Sequence, residues 1–169
     1  MTEQLFLTYE DFREKVADKR GKTVAMNDIN MMQFSAILYD SLLEQYVIKL
    51  RLEKKYHKDY SFRERFAICD NAHLIHWGQW LDIAILTTKH PSLQDAYFFV
   101  TGINATFREP CFIDRPFEYR IEILTDERST RKKEFVFFNR VNEKMLSRVD
   151  FAVMNEESEV LEHFYKKQP

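Results

Sequence analysis

The sequence predicts an α+β domain in which a single antiparallel sheet wraps around one buried helix. Two observations predict this fold class. Residues 74–86 are apolar around almost the whole circumference of a helix, and such a helix has to be buried on every side. The last third of the chain alternates apolar and polar residues in four runs separated by polar turns, which is typical of antiparallel strands.

Composition narrows the class of protein. A chain of 169 residues that is 45% hydrophobic is long enough for one domain with its own core. The net charge of −2 argues against broad nucleic-acid binding, which requires an excess of basic residues. Cys69 and Cys111 have no CxxC spacing, which favours a reducing compartment. The sequence shows no secretory signal and no run of about 18 apolar residues that could span a membrane. We therefore expect a cytoplasmic protein.

The first half of the chain is predicted to contain an accessory segment, a helix and a strand pair. A polar stretch around Gly21 separates the accessory segment, residues 1–25, from the domain, residues 26–169. Apolar residues recur at helical spacing in residues 26–46, with Asn27 or Asp28 available as a cap, so a helix is expected there. The period drops to two in residues 46–68, and the polar residues 57–59 divide that stretch into two predicted strands.

The second half begins with the central helix, which Asp70 or Asn71 would cap. The four later strands are predicted at residues 96–109, 116–125, 132–141 and 145–154, with the polar turns 126–131 and 141–144 between the last three. Together with the earlier pair, this gives about six strands around one central helix.

Three short motifs carry a resemblance to a known family. The first is a Tyr-x-x-Lys pattern, formed by Tyr46 and Lys49. The second is a polar residue followed by Leu-Ile and then an amide, formed by His73, Leu74, Ile75 and Gln79. The third is an FRxP strand end, formed by Phe107, Arg108 and Pro110. In this order they resemble the hot-dog fold superfamily, and within it the FcoT-like thioesterase group, over residues 40–154. The resemblance implies a hot-dog fold, an acyl thioester substrate on coenzyme A or acyl carrier protein, and no cofactor. It also implies a homodimer or a dimer of dimers.

The central helix carries the candidate catalytic residues. Its first backbone N–H groups and its dipole can polarise a thioester carbonyl, and Asp70 and Asn71 stand beside them. His73 and His76 are candidate bases because imidazole is the side chain that most often serves as a general base, and Gln79 continues the row of His76 by one turn. We expect His76, His73 or Asp70 to act as a base; the alternative is that the histidines are core residues and Asp70 only a cap.

Other candidate residues would bind the substrate. Tyr46 would orient it, and Lys49 would hold a carboxylate or phosphate unless it is a solvated strand lysine. Trp77 either lines an acyl tunnel or belongs to the core. Arg108 either binds an acidic carrier or coenzyme A phosphates, or is solvated. A zinc site at Cys69 is disfavoured because no second ligand cluster appears in the sequence.

The leading hypothesis is a thioesterase that acts on fatty acyl thioesters. One alternative is conjugate addition of glycine to an enoyl thioester on acyl carrier protein, with Lys49 holding the glycine carboxylate. Dehydratase-like chemistry is a weaker alternative, because the helix opens with "CDNAH" and contains no glutamate. An alternative of another class is a hot-dog protein that binds acyl chains without catalysis.

Overall fold

The computed structural model describes residues 2–17, 30–53, 68–125, 133–154 and 166. The strands and α-helices assigned there are, in chain order, β1 (Glu3–Thr8), α1 (Tyr9–Ala17), β2 (Met32–Gln33), β3 (Ala36–Asp40), β4 (Gln45–Leu52), α2 (Asn71–Lys89), β5 (Tyr97–Phe107), β6 (Phe117–Thr125), β7 (Lys133–Val141) and β8 (Met145–Met154). A single turn of 3₁₀-helix, Pro91–Leu93, connects α2 to β5.

One antiparallel sheet organises the molecule. Its strand order is β1-β3-β4-β6-β7-β8-β5, and β2 pairs with β4 beside this path. Along β6, alternate residues Phe117, Tyr119 and Ile121 are buried, as a period of two requires of a strand with one face on the core. Helix α2 lies on that face, because the Tyr119 hydroxyl donates to the Leu74 carbonyl at 3.0 Å. The predicted α+β class, a sheet wrapped around a central helix, is confirmed.

Helix α2 begins where the sequence predicted. Asp70 is its N-cap, and its Oδ1 accepts a hydrogen bond of 2.8 Å from the Ala72 amide. The face against the sheet is fully buried and includes Trp77. The expectation of burial on every side is wrong for the described part of the chain, since a second face is only half-buried; it consists of His76, Gln79, Trp80 and Ile83.

The helix predicted over residues 26–46 is wrong from residue 32 onward; Asn30 and Met31 are helical, and residues 26–29 lie outside the described residues. From residue 32 the segment holds β2, β3 and the turn that leads into β4. Asp40 stabilises that turn, because its Oδ1 accepts hydrogen bonds from the Leu42 and Leu43 amides at 3.0 and 3.3 Å. Leu42 and Leu43, which completed the helical pattern, are exposed at the turn. Strand pairing on both sides of β3 overrides the apparent helical spacing.

The predicted strand pair is confirmed only in its first strand, β4, which pairs with β3 and β6. Its second run lies outside the described residues except for Ile68, which forms an isolated bridge with Phe112. The four later strands are confirmed as β5 to β8, and the predicted turn 141–144 is present. The predicted turn 126–131 lies outside the described residues.

The described part of the N-terminal segment packs on the same core. Strand β1 pairs with β3 at one edge of the sheet. Helix α1 starts at a local cap, where the Thr8 hydroxyl accepts from the Asp11 amide at 3.1 Å and donates to the Asp11 carboxylate at 2.7 Å. Phe12 and Val16 of α1 are buried.

Candidate active site

A cleft of about 430 Å³ opens at the N-terminus of α2. One wall is the lead-in to the helix, and the other is the corner after β5; the lining residues are Ile68, Cys69, Asp70, Asn71, Phe107, Arg108, Glu109 and Pro110. The structure thus brings the predicted residues Asp70, Asn71 and Arg108 into one site. It also places the FRxP corner opposite the helix start, although the two are almost forty residues apart in the sequence.

The turn between β7 and β8 holds the corner in position. The Arg108 amide donates to the Lys144 carbonyl at 2.7 Å, and the Lys144 ammonium pairs with the Glu109 carboxylate at 2.9 Å. Asn142 ties the same turn to the start of β6, because its Oδ1 accepts from the Glu118 amide at 2.7 Å. The corner therefore has a fixed backbone, while the Arg108 side chain is exposed.

Two of the acidic groups that line the cleft already have hydrogen-bond or ion-pair partners. Asp70 accepts from the first turn of α2, and Glu109 is paired with Lys144. The Arg108 guanidinium and the N-terminal end of the α2 dipole both favour an anion or a developing negative charge. The cleft can therefore hold a polarised carbonyl beside an anionic group.

His73 and His76 lie on the turns that follow, and both are half-buried. His76 Nε2 accepts a hydrogen bond of 3.2 Å from Trp80 Nε1, so its neutral form carries the proton on Nδ1. This hydrogen bond comes from Trp80, one turn on, and not from Gln79, which continues the row of His76. The ring of His73 lies 5.8 Å from that of Trp77. Neither histidine is among the lining residues of the cleft.

Trp77 and Gln79 do not line the cleft either. Trp77 is fully buried and packs 6.3 Å from the ring of Phe117, so in this chain it belongs to the core. Gln79 lies on the half-buried face of α2.

Tyr46 and Lys49 lie away from the helix start. Tyr46 is buried between the rings of Phe6 and Tyr39, at 4.7 and 5.1 Å, and burial followed by the influence of Tyr39 raises its pKa. It lines a separate hollow of about 180 Å³ with Lys89, the last residue of α2. That helix is about 28 Å long at 1.5 Å per residue, so the hollow is at its other end. The site in which we grouped Tyr46 with the helix start is therefore not formed within one chain.

Lys49 is exposed on the outer face of the sheet. It lies opposite Glu118 in the pairing of β4 with β6. This position corresponds to the alternative expectation, a solvated strand lysine.

Sequence reasoning missed a polar cluster between α2 and the sheet. Asp82 of α2 is fully buried, and its Oδ2 accepts a hydrogen bond of 3.0 Å from Asn139 Nδ2 of β7. Ser147 of β8 lies opposite Asn139 in the sheet and is also buried. A Cβ on Gly78 would lie 3.0 Å from Asn139 Nδ2, so the glycine makes room for the cluster. The available signal was a lone aspartate four residues after a glycine in an apolar helix.

Burial raises the pKa of Asp82 well above its usual range, and the hydrogen bond from Asn139 offsets only part of this effect. Among the described residues, no hydrogen-bond partner reaches Asp82 Oδ1, Asn139 Oδ1 or Ser147 Oγ. Burial therefore favours the neutral, protonated form of Asp82, and Asp82 is not among the residues that line the cleft.

Comparison with solved structures identifies the fold. The chain is similar to Cj0977, a sigma28-regulated virulence protein from Campylobacter jejuni, at 12% identity, a TM-score of 0.54, and coverage of 86% of this chain and 97% of that one. It is also similar to a mutant of the thioesterase PA1618 from Pseudomonas aeruginosa, at 12% identity and a TM-score of 0.53, covering 89% and 99%. A hot-dog-like protein from Thermanaerovibrio acidaminovorans matches at 6% identity and a TM-score of 0.51, covering 74% and 91%.

No protein-family model and no curated protein sequence matches the chain. In the described part of the chain, no helix is both long and apolar enough to cross a membrane. The topology and the solved structures agree on one point: the chain has the hot-dog fold, an antiparallel sheet wrapped around a central helix.

Proposed function

We propose that this protein hydrolyses acyl thioesters carried by coenzyme A or acyl carrier protein, as a hot-dog thioesterase in the cleft at the start of α2. The observation that carries the proposal is the meeting of a helix N-terminus, a carboxylate and an exposed arginine in one cleft. The similarity in fold to a thioesterase and the resemblance to the FcoT-like group support the same substrate class.

The reaction needs a polarised carbonyl and an activated water. The positive end of the α2 dipole and the Asn71 amide would hold the thioester oxygen and stabilise the oxyanion that forms when water attacks the carbonyl carbon, since the Ala72 and His73 amides already donate to Asp70. Asp70 would take the proton from that water and return it to the departing thiolate. We assign the base to Asp70 before His76 because Asp70 lines the cleft, and His76 lies on a later turn with Trp80 on its Nε2.

Arg108 would hold the anionic part of the carrier. Its guanidinium is exposed at the rim of the cleft, where a phosphate of coenzyme A or of the carrier's prosthetic group could approach. Arg115, exposed in the same loop, would add to the attraction for an acidic carrier protein. Both cysteines are free thiols, which supports a cytoplasmic location.

A second copy of the chain would border the cleft. Strand β5 is at the end of the sheet order, and the exposed apolar residues Val100, Ile103 and Phe107 all lie on it. Among the described strands β5 is at one end of the sheet, and an exposed apolar strand in that position favours pairing with an identical strand. We therefore propose a homodimer through β5, whose last residue, Phe107, also lines the cleft.

The oligomer has its own test. Ile103→Lys places a charge on the exposed part of β5 and is expected to shift the molar mass measured by light scattering from dimer to monomer. Leu5→Lys, on the opposite edge strand β1, is the matched control and should leave the dimer intact. A wild-type protein that is monomeric at high micromolar concentration would contradict the proposed dimer.

Intact-mass spectrometry tests the reaction. Acyl carrier protein loaded with saturated or α,β-unsaturated chains is incubated with the protein, with and without glycine, and coenzyme A thioesters are tested in parallel. Loss of the acyl group supports hydrolysis, and Asp70→Asn should reduce its rate by about a hundredfold or more. Arg108→Ala should raise KM with little change in kcat. A glycine-sized gain in mass would support conjugate addition, for which the exposed position of Lys49 gives no support.

An absence of any reaction on either carrier would refute the thioesterase. The non-catalytic alternative then applies, and acyl-chain binding without turnover would support it.

A further inference from the structure

Cys69 and Cys111 face each other across a short antiparallel bridge at the base of the cleft. Ile68 pairs with Phe112 in this bridge, and the next residues are joined by a hydrogen bond of 2.8 Å from the Cys69 amide to the Cys111 carbonyl. Directly opposed residues in an antiparallel pair have Cα atoms about 4.5 to 5.5 Å apart. A disulfide accepts Cα separations of about 4.4 to 6.8 Å, so opposed positions in such a bridge fall within the range that a disulfide can span.

Both thiols lie on the same side of the bridge. Cys69 and Cys111 are 1% and 2% exposed, whereas Ile68 and Phe112 are half-buried. Burial raises the pKa of Cys69 to about 12, and the Cys111 thiol adds to that increase. Burial also raises the pKa of Cys111, while Lys144 lowers it in part and Glu109 raises it.

We propose that Cys69 and Cys111 form a reversible disulfide that regulates the cleft. The effect on turnover rests on the proposed function, whereas the bond itself does not. With glutathione disulfide as oxidant, the Cys111 thiolate attacks one glutathione sulfur and releases a glutathione thiolate. The Cys69 thiolate then attacks the Cys111 sulfur of the mixed disulfide and releases the second glutathione. Two electrons pass to glutathione, and each cysteine proton ends on one of the two glutathione thiols.

Closing the bond would draw the two segments together and would therefore affect the cleft. Opposed residues in a sheet have Cβ atoms about 4.5 to 5.5 Å apart. A disulfide requires about 3.5 to 4.5 Å, so the two segments must move closer. Strained disulfides are the easily reduced ones, which suits a switch better than a permanent crosslink. Since Asp70 follows Cys69 and the FRxP corner precedes Cys111, the movement shifts both walls of the cleft.

The bond is tested by mass in glutathione buffers of increasing oxidised fraction, with the remaining thiols alkylated at the end. Wild-type protein should lose two hydrogens, resist alkylation, and return to two free thiols with dithiothreitol. Cys69→Ser and Cys111→Ser should never lose two hydrogens. Because burial slows the reaction in the folded protein, a second sample is unfolded and refolded in each buffer. Two alkylatable thiols in that refolded wild-type sample, even when glutathione disulfide dominates, would overturn the proposal.

The effect on the cleft has two readouts. Backbone amide resonances of Asn71 and Arg108 should shift between the reduced and oxidised proteins, whether or not the protein has activity; unchanged resonances would overturn the regulatory role. If thioester hydrolysis is observed, oxidation should lower it at least about tenfold, because a displacement of about 1 Å can cost a hundredfold. Dithiothreitol should restore the rate, and Cys111→Ser should be insensitive to the buffer. A protein inactive in both states would refute the thioesterase and leave the mass and resonance results standing.

Discussion

Replacing Asp82 with asparagine should remove a large pH dependence from the stability of the fold. Asp82 is fully buried between α2 and β7, with Asn139 as its hydrogen-bond partner. Its pKa is well above the usual value because burial penalises the charged form. The folded protein therefore binds more protons than the unfolded chain at every pH between the unfolded pKa, near about 3.9, and the folded pKa. In that window the free energy of unfolding falls as pH rises.

The size of the effect follows from linkage. One group that is protonated in the folded state and ionised in the unfolded state changes stability by up to about 1.4 kcal/mol per pH unit. Asparagine cannot ionise, so Asp82→Asn loses this term. Its amide keeps an oxygen that can accept the hydrogen bond from Asn139 Nδ2. The free energy of unfolding of the variant should therefore rise steadily relative to that of wild type as the pH increases above about 5.

Urea unfolding at pH 5, 6, 7 and 8 measures this directly, provided that the m-value stays constant across the series. Asp114→Asn, which changes an exposed aspartate in the loop before β6, is the matched control. It should follow the wild-type slope. Parallel stability curves for wild type and Asp82→Asn across this range would refute the inference that Asp82 is held neutral in the core.

Three further substitutions test the packing around α2 and one turn. Gly78→Ala should destabilise the protein by about 1 kcal/mol, because the added Cβ would lie 3.0 Å from Asn139 Nδ2 and this clash outweighs the better helix propensity of alanine. In an Asn139→Ala background the same substitution should stabilise the protein, and thermal unfolding of the double-mutant cycle would show this change of sign. Glu143→Gly should stabilise by about 1 kcal/mol, because Glu143 has a φ of 55°, and chemical unfolding without a gain would contradict this. Tyr119→Phe should cost about 1 kcal/mol by the same assay, through the lost bond to Leu74.

The sheet and central helix were predictable because their signals are local and repeated. Alternation in β6 to β8 is continued over whole strands, and the N-cap of α2 is a single residue whose chemistry allows few other roles. Residues 32–46 show the opposite case. Their apolar positions fit a helix as well as two short strands, and only pairing with β1 and β4 decides between them. Such pairing is set by distant residues and leaves no trace in a local window.

The candidate site was predictable where a motif has a fixed backbone role. Asp70 caps a helix and the FRxP corner ends a strand, and the fold brings those two ends together. Tyr46 was misplaced because the segment before it was assigned to a helix. With that helix replaced by a hairpin, Tyr46 starts a strand beside Tyr39 and lies at the far end of α2. One error in a local element therefore moved a site residue by the length of the helix.

The polar residues of α2 divide into two groups according to the face on which they lie. Asp82 and Gly78 face the sheet, where the strands supply Asn139 and Ser147, and burial raises the pKa of the Asp82 carboxyl. His76 lies on the half-buried face, where Trp80 holds one ring nitrogen. A wheel of the helix alone shows both faces as mostly apolar, so it cannot say which polar group is in the core. The difference comes from what packs on each face, and it leaves the N-terminal end, where Asp70 borders open space, as the part of α2 available for chemistry.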